Sequence, residues 1–143
     1  MFDPLLNKIL RPPLALTAKP LIRFGITADQ VTIFGFILGI MAVPAIMNEQ
    51  FTLALTLILL NRLCDGLDGA VARQTHTSDA GGFLDISLDF IFYSAIVFAF
   101  IVSHPEQNAI AGSLLMLSFT ATGSCFLAFA IMASKHNIDN PQY

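Results

Sequence analysis

The chain has 143 residues, of which 55% are hydrophobic and only 12% are charged, and its mean hydropathy is +0.72. A soluble domain carries more charge on its surface, so this composition indicates a membrane protein and excludes an ordinary soluble enzyme. The formal net charge is −3. No block of basic residues occurs, so we expect no nucleic-acid partner.

The segment 1–25 is predicted to lie at the membrane surface rather than to cross it. Over residues 2–11, a helix would place its apolar side chains on one face and Lys8 and Arg11 away from that face. Pro12 and Pro13 are expected to break this helix, because proline lacks the amide N–H that a helix interior uses. The sequence therefore predicts an interfacial segment over 1–25 and a membrane domain over 26–143.

Four stretches of the membrane domain are apolar, and each is near the roughly 20 residues that a helix needs to cross the hydrocarbon core. They run over residues 31–48, 51–73, 81–103 and 109–134. Thr27 or Asp29 could cap the first of them. The predicted fold is all-α: a four-span helical bundle with an N-terminal amphipathic helix at the interface.

The positions of the cations predict the orientation of the spans. Four Lys and Arg residues precede the first span, Arg73 ends the second, and Lys135 follows the fourth. The links at 48–50 and 104–108 carry neither Lys nor Arg. By the positive-inside rule, both termini and the link that follows Arg73 face the cytoplasm.

Glycines recur at helical spacing in the first and fourth predicted spans. Gly35 and Gly39 form a GxxxG pattern, and the fourth span contains Gly112 and Gly123. Small residues at this spacing let membrane helices approach closely. We interpret these glycines as packing positions rather than ligand contacts.

Four aspartates lie in or at the ends of the second and third spans, where an ionisable side chain costs roughly 3 kcal/mol. Asp65 and Asp68 are three residues apart, and Asp85 and Asp89 are four apart, so each pair shares one helix face. A short link joins the two spans, so the pairs can face each other at one depth. Their four carboxylates suit one or two hard cations such as Mg²⁺ or Mn²⁺.

The residues around these aspartates suit a phosphate ligand. Gly69 and Ala72 are small and let a ligand approach the helix backbone. Arg73 offers a planar guanidinium group to phosphate oxygens. The link at 75–78 is rich in hydroxyl groups, and Gly81 opens a helix whose N-terminus favours anions.

This pattern resembles the signature of the CDP-alcohol phosphotransferase family. The signature reads D-x2-D-G-x2-A-R, then eight residues, then G-x3-D-x3-D, and residues 65–89 match all eight of its fixed positions. One spacing differs, since seven residues rather than eight separate Arg73 from Gly81. The segment 27–32 is also similar to the family's T-P-N-x-x-T, with Ala28 in place of proline and Asp29 in place of asparagine.

The resemblance implies an Mg²⁺- or Mn²⁺-dependent enzyme with two ions. Asp65, Asp68 and Asp85 would hold the ions, and Asp89 would share one of them and act as general base. The residues expected to bind the nucleotide and its phosphates are Gly69, Ala72, Arg73, Ser78, Gly81, Asp29 and Thr32. Asp29 could instead be only a helix cap.

The implied reaction belongs to phospholipid biosynthesis. It transfers a substituted phosphate, expected to be phosphatidyl, from a CDP-linked lipid donor to an acceptor alcohol and releases CMP. We expect a homodimer embedded in membrane lipid. Family members usually have six spans, so this chain is expected to be either part of a longer protein or a natural short member.

Several residues have an ordinary structural alternative. Arg62 precedes Asp65 by one turn and could pair with an aspartate or contact phosphate. Asn61 could satisfy a backbone or helix-helix hydrogen bond, and Asp79 is expected to cap the third span.

Two other function classes stay open. An inactive homologue would bind metal or nucleotide without turnover. A small divalent-cation transporter would also place carboxylates inside the membrane, but it would not need Gly69, Ala72 and Arg73 at these spacings.

Overall fold

The computed structural model describes residues 3–136, with the side chains of residues 11–133, 135 and 136. Over these residues the chain is helical, without a strand, which confirms the predicted all-α class. The helices are α1 (Asp3–Arg23), α2 (Ala28–Ile40), α3 (Ala42–Met47), α4 (Phe51–Gln74), α5 (Asp79–Ser103) and α6 (Pro105–Lys135).

The N-terminal helix does not break at its prolines, so that prediction is wrong. α1 continues through Pro12, Pro13 and Pro20. The Thr17 hydroxyl donates to the carbonyl oxygens of Pro13 and Leu14, at 3.1 and 3.0 Å.

Packing against α4 explains why α1 stays continuous. Ala18 is fully buried and clusters with Ala70 and Val71 of α4. Such burial stabilises a helix whose prolines cost it backbone hydrogen bonds. The apolar face predicted over residues 2–11 lies outside the described side chains, and its interfacial location stays a prediction.

The predicted first span forms two helices. Thr27 caps α2, accepting a hydrogen bond from the Gln30 amide, while the Gln30 side chain accepts from the Thr27 amide. Asp29 is therefore not the cap but lies in the first turn. α2 ends at Ile40, because Pro44 has no N–H to donate to that residue's carbonyl.

The start of α5 also differs from the prediction. Ser78, not Asp79, is the N-cap: its backbone is extended, and its hydroxyl accepts a 3.0 Å hydrogen bond from the Gly81 amide. Asp79 is already the first helical residue, so its side chain lies beyond the cap position.

Within residues 3–136, three segments are long and apolar enough to cross a membrane: Ala28–Met47, Asp79–Ser103 and Pro105–Ala133. α4 has 24 residues but carries Arg62, Asp65 and Asp68, which make it less apolar. The prediction of four spans is thus confirmed for three of them. Many large apolar side chains on these helices are exposed, Ile110 at 81%, as suits a surface that faces lipid.

Contacts between links show how the helices are arranged. His104 Nε2 lies 3.5 Å from Glu49 Oε1, so the α3–α4 and α5–α6 links meet at one end of the bundle. Near the start of α2, Asp29 lies beside Gly81, where a Cβ would stand 2.9 Å from Asp29 Oδ1. α4 therefore runs the length of the bundle, from the first end to the second.

The predicted packing role of the glycines is confirmed. Gly35 lies against Cys64, and Gly39 lies against Asn61 and Phe92, which lets α2 approach α4 and α5 closely. In α6, Gly112 faces Ile101 and Gly123 faces Phe90, both in α5.

The gap between α4 and α5 gives the fold its cavity. α2 packs against both helices, but over residues 3–136 α4 and α5 do not form a closely packed pair of their own. At the end of the bundle where Glu49 meets His104, α3 closes the gap with a small core of alanines around the fully buried Ile46. The polar side chains of α4 and α5 lie in the remaining gap.

Candidate active site

All four motif aspartates line one small cavity enclosed by α2, α4 and α5. Asp65 and Asp68 reach it from α4, and Asp85 and Asp89 reach it from α5. Its volume is about 10 Å³, close to the space that one water-sized sphere occupies. The structure thus brings together the two pairs that the sequence placed on separate helix faces.

Asp68 is the most buried of the four, with only 5% of its surface exposed. Its Oδ2 accepts a 2.7 Å hydrogen bond from the hydroxyl of Thr32 in α2. The same hydroxyl lies 3.0 Å from the Ala28 carbonyl oxygen. Thr32, predicted to bind nucleotide, orients a carboxylate in this structure.

A larger cavity of about 150 Å³ adjoins the small one. Thr32, Asp68 and Asp85 line both cavities, so the two lie side by side. The larger one contains most of the residues predicted to bind nucleotide, namely Asp29, Thr32, Gly69, Ala72, Ser78 and Gly81. His76 and Thr77, from the link before α5, also line it.

Arg73, which was predicted to bind phosphate, does not line either of these two cavities. It is exposed, and its Nη1 lies 3.0 Å from the point where a Cβ on Gly69 would stand. The guanidinium group thus folds back along α4 to Gly69, which does line the larger cavity. A glycine at position 69 leaves room for this approach.

A polar network that the sequence did not predict surrounds Asp89. Arg62 Nη2 lies 2.7 Å from Asp89 Oδ1, and Arg62 Nη1 lies 2.6 Å from the Tyr93 hydroxyl. That hydroxyl lies 3.1 Å from Asp89 Oδ2. Of the two roles considered for Arg62, the structure shows pairing with an aspartate. Tyr93 was not among the predicted site residues, although its position four residues after Asp89 places both side chains on one face of the helix.

The donor set around the small cavity fits a hard divalent cation. Within residues 3–136, no three His, Cys, Asp or Glu side chains already converge as a metal centre. The polar lining groups are nonetheless carboxylate, hydroxyl and amide groups without sulfur or imidazole, which suits Mg²⁺ or Mn²⁺. Asp65, Asp68 and Asp85 are the residues that would hold such an ion. Asp89, predicted to share an ion, has both carboxylate oxygens in contact with Arg62 or Tyr93, so we assign it to proton transfer instead.

Comparison with known proteins places the chain among membrane-protein relatives of one family. The model of the CDP-alcohol phosphatidyltransferase family matches residues 25–142. Inner membrane protein YnjF of Escherichia coli strain K12 is 52% identical over 143 residues, which cover 100% of this chain and 69% of that protein. Archaetidylinositol phosphate synthase of Pyrococcus horikoshii is 36% identical over 98 residues, which cover 66% of this chain and 52% of that protein.

The chain thus spans only part of the length of these relatives, and no solved structure matches it. Its three apolar helices, together with a close relative named as an inner membrane protein, identify it as an integral membrane protein. The family match covers most of the chain and includes the helices that carry all four cavity aspartates. The chain belongs to the CDP-alcohol phosphatidyltransferase family.

Proposed function

We propose that this chain transfers a phosphatidyl group from a CDP-linked lipid donor to an acceptor alcohol and releases CMP. The observation that carries the proposal is that the two cavities share Thr32, Asp68 and Asp85 as lining residues. The smaller cavity is lined by the four motif carboxylates, and the larger one by small and hydroxyl-bearing residues of α2, of α4 and of the segment that opens α5. A diphosphate ester can occupy the larger cavity and reach the carboxylates of the smaller one.

The donor nucleotide is assigned to the larger cavity. Gly69 and Ala72 leave the α4 backbone open to its phosphates, and the N-terminus of α5 at Ser78 and Gly81 favours an anion. The Ser78 hydroxyl accepts a hydrogen bond from the Gly81 amide and can still donate a hydrogen bond of its own. Asp29 is an anion, so it suits ribose hydroxyl groups better than phosphate oxygens.

Asp89 is assigned as the general base. It would take the proton of the acceptor hydroxyl, whose oxygen forms a bond to the phosphorus distal to cytidine. The bond from that phosphorus to the bridging oxygen then breaks, and the electron pair leaves with CMP. When bound, one or two Mg²⁺ or Mn²⁺ ions would offset the charge of the diphosphate and of the leaving CMP.

We also propose that α4, the second predicted span, crosses the membrane as the other three do, and that the site faces the cytoplasm. α4 runs from the end where Glu49 meets His104 to the end where Asp29 meets Gly81. The second end carries Arg23 and Arg73 nearby, as the positive-inside rule requires of a cytoplasmic face. We further propose that the chain forms a homodimer. Light scattering of the protein in detergent would measure the mass of the complex and so test this.

CMP release from CDP-diacylglycerol in detergent, with Mg²⁺ or Mn²⁺, tests the reaction. The acceptors are glycerol 3-phosphate, inositol, inositol phosphate and serine, each added alone. Inositol phosphate is included because a relative is named an archaetidylinositol phosphate synthase. Metal-dependent release with one acceptor is the expected result.

Two matched variants make the test specific. Asp89→Asn removes the proposed base, and release is expected to be lost. Asp79→Asn makes the same change in the exposed first turn of α5, away from the lining of both cavities, and should retain release. Nucleotide binding without release would favour an inactive homologue, and metal flux into sealed vesicles would favour a transporter.

A further inference from the structure

Both carboxylate oxygens of Asp89 are held by side chains of the protein. Oδ1 lies 2.7 Å from Arg62 Nη2, while Oδ2 lies 3.1 Å from the Tyr93 hydroxyl and 3.5 Å from Arg62 Nη1. Arg62 therefore spans the gap between α4 and α5. A carboxylate gripped at both oxygens cannot rotate freely about its χ2 angle.

Arg62 is itself held in place from α2. Its Nε and Nη2 donate to Asn61 Oδ1 at 2.9 and 2.7 Å. Asn61 is 5% exposed, and its Nδ2 donates to the Gly35 carbonyl oxygen at 2.9 Å. A continuous set of hydrogen bonds thus runs from the α2 backbone through α4 to the carboxylate on α5.

Aromatic rings support the guanidinium group from the α5 side. The centre of the Arg62 guanidinium lies 4.9 Å from the ring centroid of Phe92 and 5.0 Å from that of Tyr93. Such cation–π contacts favour a planar cation held over a ring face. Gly39 makes room for this arrangement, because a Cβ there would stand 2.8 Å from Phe92 ring carbons.

The hydrogen bonds of Arg62 leave no N–H for a substrate phosphate. A guanidinium group has five N–H donors. One goes from Nε to Asn61, two go from Nη2 to Asn61 and Asp89, and two go from Nη1 to Tyr93 and Asp89. Arg62 also does not line either cavity of the site.

We propose that Arg62 is a positioning residue, held by Asn61 and Tyr93, that fixes the Asp89 carboxylate at the small cavity for proton transfer from the acceptor alcohol. The proposal rests on the proposed function for the assignment of Asp89 as base. A carboxylate has about four lone-pair sites, and these contacts occupy three of them. One site on Oδ1 is left for the acceptor hydroxyl, so a fixed carboxylate presents it in one direction.

Steady-state kinetics of CMP release form the first test. Arg62→Gln is expected to lower kcat by about 10- to 100-fold, as loss of an orienting partner does, with KM for the donor changed less than about threefold. Arg62→Lys should recover part of kcat, because lysine supplies the charge but not the planar fork. Arg11→Gln, which removes an arginine from an exposed site on α1, is the control.

Two kinetic outcomes would overturn the proposal. A wild-type kcat in Arg62→Gln would show that Asp89 needs no such partner. A raised KM at unchanged kcat would show that Arg62 contacts the donor instead.

Tyrosine emission provides a second readout that needs no turnover. The chain has no tryptophan and two tyrosines, so Tyr143→Phe leaves Tyr93 as the sole emitter. A carboxylate that accepts a hydrogen bond from a phenol quenches its emission. Asp89→Asn should therefore raise Tyr93 emission, and Arg62→Gln should raise it toward the same value, with Arg62→Lys in between.

This second readout separates the two proposals. If the wild-type chain releases no CMP, the proposed function fails, and the emission still decides whether Arg62 holds Asp89. Emission that is unchanged in Arg62→Gln while it rises in Asp89→Asn would overturn the positioning role, even in an active enzyme.

Discussion

The hydroxyl of Thr32 in α2 donates a 2.7 Å hydrogen bond to the buried carboxylate of Asp68 in α4, across 36 positions of the chain. A buried carboxylate needs such donors, since an unpaired one would be costly. The first span is therefore part of the site and not only its support.

Replacing Thr32 with valine tests this bond. Thr32→Val keeps the side-chain shape but removes the hydroxyl, so Asp68 loses its donor and its fixed orientation. We expect CMP release to fall by about 10- to 100-fold and the free energy of unfolding to fall by about 1–3 kcal/mol. Thr32→Ser retains the hydroxyl and should stay close to wild type. Equal activity of the two variants would contradict the orienting role.

Removal of divalent cations tests the predicted metal site. Chelation should reduce CMP release on the order of a hundredfold or more, because the cation supplies several kcal/mol of charge stabilisation. Mg²⁺ or Mn²⁺ should restore it. Asp65→Asn should raise the Mg²⁺ concentration needed for half-maximal release by about tenfold or more, because it removes one ligand charge. Release that resists the chelator would exclude the metal-dependent mechanism.

A methyl group at Gly39 is expected to disturb the site from a distance. In Gly39→Ala the new Cβ would stand 2.8 Å from Phe92 ring carbons and 3.0 Å from Asn61 Cγ. Overpacking of this kind costs about 1–3 kcal/mol, and a shift of Asn61 would also displace Arg62. Thermal unfolding by circular dichroism and CMP release should both decline.

Gly66→Ala is the matched control for that variant. The three atoms nearest to its Cβ would all belong to the Leu14 side chain, with one methyl group at 3.0 Å, and a flexible side chain can move aside. Alanine also favours a helix over glycine by about 1 kcal/mol. The unfolding temperature should be unchanged or higher, and a loss as large as that of Gly39→Ala would count against the packing argument.

Single cysteines test whether α4 crosses the membrane. In a chain with Cys64 and Cys125 replaced by alanine, Gln50→Cys and Thr77→Cys flank α4 on either side. An impermeant maleimide should label Thr77→Cys from the cytoplasmic side only and Gln50→Cys from the opposite side only. Labelling of both from one side would mean that α4 does not span.

Much of this molecule follows from local sequence. Runs of apolar residues determine the membrane helices, because a backbone in lipid must satisfy its hydrogen bonds within the helix. Spacings of three and four place Asp65 with Asp68 and Asp85 with Asp89, because these intervals are close to one helical turn. The motif residues Gly69, Ala72 and Gly81, which line the larger cavity, were recognisable in the same way, since they belong to one continuous segment of the sequence.

Other features depend on which helices pack together, and that is settled by contacts between distant residues. Proline spacing predicted a broken α1, but burial of Ala18 against α4 supports one continuous helix. The sequence left two roles open for Arg62, pairing with an aspartate or contact with phosphate. The close approach of α2 to α4 and α5 at Gly35 and Gly39 decided between them, because it brings three helices near enough for one guanidinium group to bridge α4 and α5.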